Sequence, residues 1–271
     1  MSLGFRLLGE NDPVDLAAVA EFRRAYGSPE LGSVAVILPA YREVESIGDV
    51  LREIPGTVDG RKVAVLVVVD GPDDGTSAIA RALGAYVCVT GTQRGQGAAL
   101  RLGYRLAIAH GAAFLVSLDA DGQYDPAELP RLLAPLFADE ADFVSGSRRL
   151  GRDETTDRVR SLGVDVLAKL LSAIAGAKVT DPAFGLRAMT AKVASSVKLQ
   201  QPQYQASELL LGAALGGFRI AERPATIRRR TASSSRKGGN LVYGCRFVGV
   251  ILATWWRDRQ PVSAGWHRRR R

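Results

Sequence analysis

Phe114-Leu-Val-Ser-Leu118-Asp119-Ala120-Asp121-Gly122-Gln123 decides the fold class of this chain. A short, mostly apolar run of strand length ends in two carboxylates at positions i and i+2, with a small residue between them. An unbroken run of this kind reads as a strand buried on both faces. Its polar residues then emerge together at the strand's carboxyl end. Two such carboxylates can converge on one hard cation, which completes its shell with water and phosphate oxygens. The spacing also suits a polar turn that caps the next helix, so the pair needs its context.

Working outward, the same alternation repeats in both directions. Val34–Leu38, Lys62–Val69 and Ala85–Thr90 read as buried strands, and Asp142–Ser145 as another. Between them, helical periodicity covers Ser46–Ile54, Thr76–Leu83, Gly97–His110 and Pro126–Phe137. Strands without alternation, separated by helices, predict an α/β fold: a mostly parallel, Rossmann-like sheet flanked by helices. Ligands of such sheets gather at the carboxyl ends of the strands. The second half is less regular. Helices are predicted over Arg160–Ile174, Ser207–Gly216 and Asn240–Arg257, with a strand at Arg219–Thr226 and a turn-rich stretch at Thr180–Arg187. The pattern divides into an N-terminal extension (1–30) with a short helix at Asp15–Tyr26, a main domain (31–238) and a C-terminal amphipathic helix with a basic tail (239–271). The end of that tail, Gln260–Arg271, is predicted to be disordered.

Composition narrows the classes. The 271 residues are 46% hydrophobic and 24% charged, as in ordinary folded proteins. Met1–Pro13 lacks the apolar core of a signal peptide. Cys88 and Cys245 are far apart in apolar surroundings, which suits a reducing cytoplasm and argues against a disulfide framework or zinc site. The formal charge is +8, and residues 219–271 carry 14 Lys and Arg against two acids. The basicity is therefore confined to the C-terminus, where it attracts phosphates or an anionic membrane surface. The Asn240–Arg257 pattern is too interrupted to span a bilayer. Its Trp255, Trp256 and Arg257 suit a headgroup region, and a helix packed on the core or in a homodimer interface is the alternative. No nucleic-acid recognition module is visible.

Several motifs follow one another in order. They are Leu38-Pro39-Ala-Tyr41-Arg-Glu43, Asp70-Gly-Pro-Asp-Asp74, Arg94-Gly-Gln96-Gly97, Asp119-Ala120-Asp121-Gly-Gln123, Asp181-Pro-Ala-Phe-Gly185-Leu-Arg187 and Arg230-Thr-Ala-Ser-Ser-Ser235-Arg-Lys237. Together, over about residues 33–257, they resemble glycosyltransferase family 2 on a GT-A fold, particularly its dolichyl- or polyprenyl-phosphate mannosyl- and glucosyltransferase branch. The resemblance implies an inverting transfer of a hexose from a UDP- or GDP-sugar to a lipid-phosphate or hydroxyl acceptor, with Mg²⁺ or Mn²⁺. It implies that Asp119, Asp121 and Gln123 surround the metal. Pro39, Tyr41, Glu43, Asp70, Gln96 and Ala120 would line the nucleotide-sugar site, and Arg148, Arg160 and Arg230 would approach phosphate. Glu208, in the first turn of a predicted helix, is a candidate base or acceptor-binding group, or a helix-stabilising acid. A cytoplasmic protein, peripheral on the inner face of the membrane, is the expected setting.

The chain departs from the family at four positions: Val69 where a second acid is usual, Pro72 for serine, Arg42 for a frequent asparagine and Gln96 for a frequent lysine. Val69 and Pro72 would also fit a non-catalytic relative that binds nucleotide-sugar. Gly91-x-x-x-Gly95-x-Gly97 imitates part of a dinucleotide fingerprint. However, it follows the third strand, whereas that fingerprint belongs to the first βα turn. A sugar nucleotidyltransferase would need a glycine- and basic-rich loop after the first strand, and Pro39–Glu43 is not one.

Overall fold

The computed structural model describes residues 12–155, 158–176, 178–201, 203, 205–229 and 240–258, the side chains of 158–162 and 240–245 apart. In chain order the elements are α1 (Pro13–Tyr26), β1 (Val34–Ala40), α2 (Ile47–Glu53), β2 (Thr57–Val58), β3 (Arg61–Val69), α3 (Thr76–Ala82), β4 (Tyr86–Val89), α4 (Gln96–Ala109) and β5 (Phe114–Ser117). A 3-10 turn at Pro126–Glu128 leads into α5 (Leu129–Phe137). Then come β6 (Phe143–Asp153), α6 (Arg158–Ala175), β7 (Arg187–Thr190), α7 (Ala191–Ser196), α8 (Gln205–Leu215), β8 (Ile220–Ile227) and α9 (Asn240–Asp258).

The strands form one sheet in the order β2-β3-β1-β5-β7-β6-β8, with β4 also on β3. Pairing is parallel for β1 with β3, β1 with β5, β3 with β4 and β6 with β8. It is antiparallel where β7 inserts between β5 and β6, and where β2 meets β3. The mostly parallel sheet expected from the sequence is therefore present. Three elements were not anticipated. The turn-rich stretch ends in β7, α7 follows it directly, and β2 is only two residues long. The strand expected at Asp142–Ser145 runs instead to Asp153, where β8 pairs with its far end beyond a register shift between Ser147 and Arg152.

The strands owe their apolar runs to burial on both sides. Along β1, Ala35 and Ile37 face one core with Leu66, Leu102 and Leu115. Val34, Val36 and Leu38 face the other core with Val67, Leu129 and Leu132. Period two thus splits one strand between two cores. The helix α1 is tied onto the first: Phe22 is buried, Asp12 and Asp15 pair with Arg94, and Asp15 also pairs with Arg105. Asp12 caps the helix by accepting the Val14 N–H at 2.9 Å.

Close packing of α4 on the sheet depends on Gly103. A Cβ there would overlap Ile37 Cγ2 and crowd Val68. Replacing a helical glycine by alanine ordinarily gains about 1 kcal/mol, whereas overfilling a core costs roughly 1–3 kcal/mol. Gly103→Ala is therefore expected to lower stability on balance, as a reduced denaturation midpoint with unchanged slope would show.

Candidate active site

The carboxyl ends of β1, β3 and β5 open onto a cavity of about 400 Å³. Pro39 and Tyr41 follow from β1, Asp70 from β3, and Asp119 and Asp121 from β5. The antiparallel β7 begins at the same edge, with Arg187 in register with Ser117. The opposite wall comes from α4 through Tyr104, from α8 through Gln205 and Leu209, and from α9 through Arg246 and Phe247.

At the β1–β3 end, Gly71 has φ +128°, and a Cβ there would sit 3.2 Å from the Tyr41 ring. The glycine lets Tyr41 lie close to the backbone beside Asp70. Both Asp70 oxygens accept backbone amides, Arg94 N–H at 2.9 Å and Gly95 N–H at 2.7 Å. Its first task is thus to fix the turn that opens α4. Glu43 is likewise engaged, receiving the Ser46 hydroxyl at 2.7 Å. Arg42 holds φ +56°, a left-handed conformation that suits asparagine better than arginine. The Val69 side chain is buried in the second core, so β3 ends in the single carboxylate of Asp70 where the family usually has two consecutive acids.

At the centre, Asp119 Oδ1 accepts Gln96 Nε2 at 2.6 Å. Asp121 Oδ1 accepts the Gln123 backbone N–H at 3.1 Å. Both aspartates line the cavity and are half-buried. Among the described residues no three His, Cys, Asp or Glu converge. A hard cation held here would draw its remaining ligands from water and substrate oxygens, as Mg²⁺ ordinarily does, and the oxygen donors fit it. Tyr124, just after this motif, joins it to the second-half loop. Its hydroxyl accepts Gly185 N–H at 2.9 Å, its ring meets Phe184 edge-on at 4.8 Å, and Ser117 donates to the Gly185 carbonyl at 3.1 Å.

Of the residues expected from sequence, Pro39, Tyr41, Glu43, Asp70, Gln96, Asp119 and Asp121 line this one cavity. Ala120 is buried behind it, and Gln123 is outside the lining, its carbonyl taken by Arg228 N–H at 2.7 Å. Arg148 is expected from the resemblance to approach phosphate. It is buried and pairs with Asp181, Nε to Oδ2 at 2.6 Å, because a buried guanidinium needs a close counter-charge. It does not line the cavity. Glu208 is expected to be a base, an acceptor-binding group or a helix-stabilising acid. It is fully buried, accepts Gln200 and Gln201 N–H and pairs with Arg257 at 2.7 Å. It ties a loop to α9 and has no opening onto the cavity. Arg230 and the segment to Lys237 lie outside the described residues, as does the side chain of Arg160.

Sequence reasoning did not single out Tyr104, Gln205, Arg246 and Phe247 as lining residues. Tyr104 and Gln205 sit on helices whose pattern reads as ordinary core or surface, and Arg246 and Phe247 on the helix read as amphipathic. Arg187 appeared only as the end of a motif and carried no role.

A carboxylate pair at the edge of a mostly parallel sheet, beside a cavity of about 400 Å³, is the arrangement of a GT-A-type fold. Residues 35–197 match the model of Glycosyl transferase family 2, and the chain belongs to that family. It is a glycosyltransferase. It is 34% identical to the dolichyl-phosphate hexose transferase of Haloferax volcanii, covering 81% of this chain and 94% of that one. It is 31% identical to the undecaprenyl-phosphate mannosyltransferase of Micrococcus luteus, over 77% of this chain and 89% of that one. The fold is similar to that of glucosyl-3-phosphoglycerate synthase from Mycobacterium tuberculosis, solved with Mn²⁺, UDP and glucosyl-3-phosphoglycerate. That likeness has a TM-score of 0.65 at 23% identity, over 90% of this chain and 85% of that one.

Asp70→Asn leaves one carbonyl oxygen where two carboxylate oxygens each accept an amide. Losing a charge-assisted bond to a buried backbone group is expected to cost about 1–3 kcal/mol. Amide exchange at Arg94 and Gly95 should accelerate ahead of the rest of the sheet, which site-resolved hydrogen exchange would detect.

Proposed function

We propose that the protein moves a hexose, with inversion, from a UDP- or GDP-sugar to a polyprenyl phosphate, with Mg²⁺ or Mn²⁺ held by Asp119 and Asp121. The observation that carries this reading is the distribution of charge around the cavity. Among the described residues its lining carboxylates are Glu43, Asp70, Asp119 and Asp121, all on the β1–β3–β5 side. The side built by β7, α8 and α9 offers Arg187, Arg246, Gln203 and Gln205 instead. A hydroxyl acceptor needs a base within reach, whereas a phosphate acceptor arrives already ionised. The cavity therefore suits the phosphate, and the two polyprenyl- and dolichyl-phosphate relatives point the same way.

Within this reading the β1–β3 end takes the base and ribose against Tyr41 and the Asp70 turn. Gln96 fixes the rotamer of Asp119 without cancelling its charge. A divalent cation, when bound, would offset the charge that develops on the departing diphosphate. Leu209 and Phe247 limit water at the acceptor side. A soluble phosphorylated acceptor is the second reading. The basic lining would serve it equally, and the fold neighbour was solved with glucosyl-3-phosphoglycerate. Turnover of UDP- and GDP-sugars, with and without a short polyprenyl phosphate, tests the proposal. Asp121→Ala is expected to lower the rate by at least about a hundredfold if the metal supplies several kcal/mol. No stimulation by the lipid phosphate would favour the soluble acceptor.

The same proposal assigns residues 1–30 to an extension, 31–238 to the transferase domain and 239–271 to a helix and tail at a membrane surface. No helix among the described residues is long and apolar enough to cross a membrane. Arg246, Gly249, Leu252, Ala253 and Trp256 lie exposed along one side of α9, with Leu252 at 47% and Trp256 at 62%. An apolar stripe beside arginines suits an anionic headgroup layer. The full chain is expected to float with anionic liposomes, and removal of residues 259–271 should weaken this by roughly 1 kcal/mol per basic residue lost near the surface. A full chain that stays unbound to anionic liposomes would remove the membrane assignment.

A further inference from the structure

Arg187 is 2% exposed, the bulkiest of the fully buried side chains. Its Nη2 donates to the Pro182 carbonyl at 3.1 Å, and its Nε has no partner. Among the described residues no carboxylate forms an ion pair with it, unlike buried Arg148 with Asp181. Burial pulls its pKa down, partly opposed by Tyr104, Tyr124, Asp181 and Asp119. A buried guanidinium in this condition is a standing demand for negative charge.

Two more unsatisfied groups line the same cavity. Tyr104 on α4 is 2% exposed and its Oη has no partner, the nearby Ser117 hydroxyl being committed to the Gly185 carbonyl. Burial pushes its pKa up to about 12, so it remains a donor. Gln205 on α8 is 7% exposed with Oε1 unpartnered. A half-turn of its amide presents Nε2 in place of Oε1. Buried polar groups are ordinarily satisfied, and three unsatisfied ones on three elements around one cavity point to a ligand.

The sheet order places this group. Asp70, Tyr41, Asp119 and Arg187 follow β3, β1 and β5 and begin β7, which are consecutive neighbours. At roughly 4.8 Å per strand, Arg187 lies two strands, about 10 Å, from the Tyr41 strand, on the far side of Asp119. Leu209 and Phe247 line the cavity with it.

We propose that Arg187, Tyr104 and Gln205 form an anion cradle that receives the phosphate of the acceptor, across Asp119 from the nucleotide end. Nε of Arg187 and Oη of Tyr104 donate to the phosphate oxygens, and the apolar wall takes the first carbons of the attached chain. The inference rests on the transferase reading only for the word acceptor. A phosphate group could also come from the donor diphosphate, and the titrations below separate the two.

The test is calorimetric titration of the full chain, in Mn²⁺, with farnesyl phosphate, inorganic phosphate and UDP separately, comparing the native protein with Arg187→Met, Tyr104→Phe and Gln205→Leu. Arg187→Met should weaken farnesyl phosphate and inorganic phosphate by roughly tenfold to a hundredfold, with UDP changed by less than about twofold, and the other two variants should lose less. The ligand-free melting midpoint of Arg187→Met should equal or exceed the native value, because an unpaired buried charge is gone. Unchanged farnesyl phosphate affinity in all three variants would overturn the proposal. So would a parallel loss of UDP affinity, which would give the cradle to the donor. A low melting midpoint for Arg187→Met with normal farnesyl phosphate binding by the other two variants would leave Arg187 a structural residue and also overturn it. None of these titrations needs turnover, so a chain that binds phosphate at Arg187 yet moves no hexose onto a polyprenyl phosphate would defeat the proposed reaction and leave the cradle standing.

Discussion

A strand covered on both faces buries its side chains along its length, and a charge there needs a buried partner, as Arg148 on β6 has in Asp181. Here β1 is buried throughout, and β3 and β5 nearly so. Asp70 and Asp119 therefore stand just beyond the last residues of their strands. Parallel strands deliver their carboxyl ends to one edge, so chemistry from distant parts of the sequence meets there. The inserted β7 uses the same edge in reverse: because it runs antiparallel, its first residue, Arg187, arrives where its neighbours' last residues do. The position of the whole site follows from the burial of the sheet.

Much of what surrounds the cavity holds its walls in position. Glu222 accepts the amides of Thr180 and Asp181, Asp181 anchors Arg148, and Tyr124 receives Gly185. These bonds draw the Asp181–Arg187 loop against the Asp119–Tyr124 loop, two segments with over fifty residues between them. Arg228 adds a second clasp, pairing with Glu53 and Asp125 while its amide donates to the Gln123 carbonyl. Local order at the carboxylate pair is thus set from β8 and α2 as well as from β5. A motif residue in such a site can be indispensable to geometry without touching a substrate.

The order of strands and helices in the first half was legible because a doubly buried strand must be apolar throughout, and Val34–Leu38 and Lys62–Val69 can hardly be anything else. The carboxylate pair was legible for the same reason, standing at the end of such a run. The second half was harder. Arg187-Ala-Met-Thr190 opens with a charged residue and lasts four positions, so nothing local distinguishes it from the turn before it; only its place between β5 and β6 makes it a strand. Arg148 and Glu208 carry charges that read as functional, and their roles depended on partners, Asp181 and Arg257, that sequence distance hides. Tyr104 and Gln205 were invisible for the opposite reason. Each sits on a helix whose pattern needs no explanation, and only the cavity gives them one.

Glu208 has a mechanical consequence. One carboxylate grips the backbone at Gln200 and Gln201 and, through Arg257, the last turn of α9. That helix also contributes Phe247 and Arg246 to the cavity wall, and the gripped loop continues into Gln203 and Gln205. Wall and outer helix are therefore a single lever pivoted on a buried charge. A tilt of α9 at the surface must either carry Gln200 and Gln201 with it or strand a carboxylate in the core, and the second is far more costly. Whatever leans on α9 from outside is felt at Gln200 and Gln201, next to the Gln203 and Gln205 wall of the cavity.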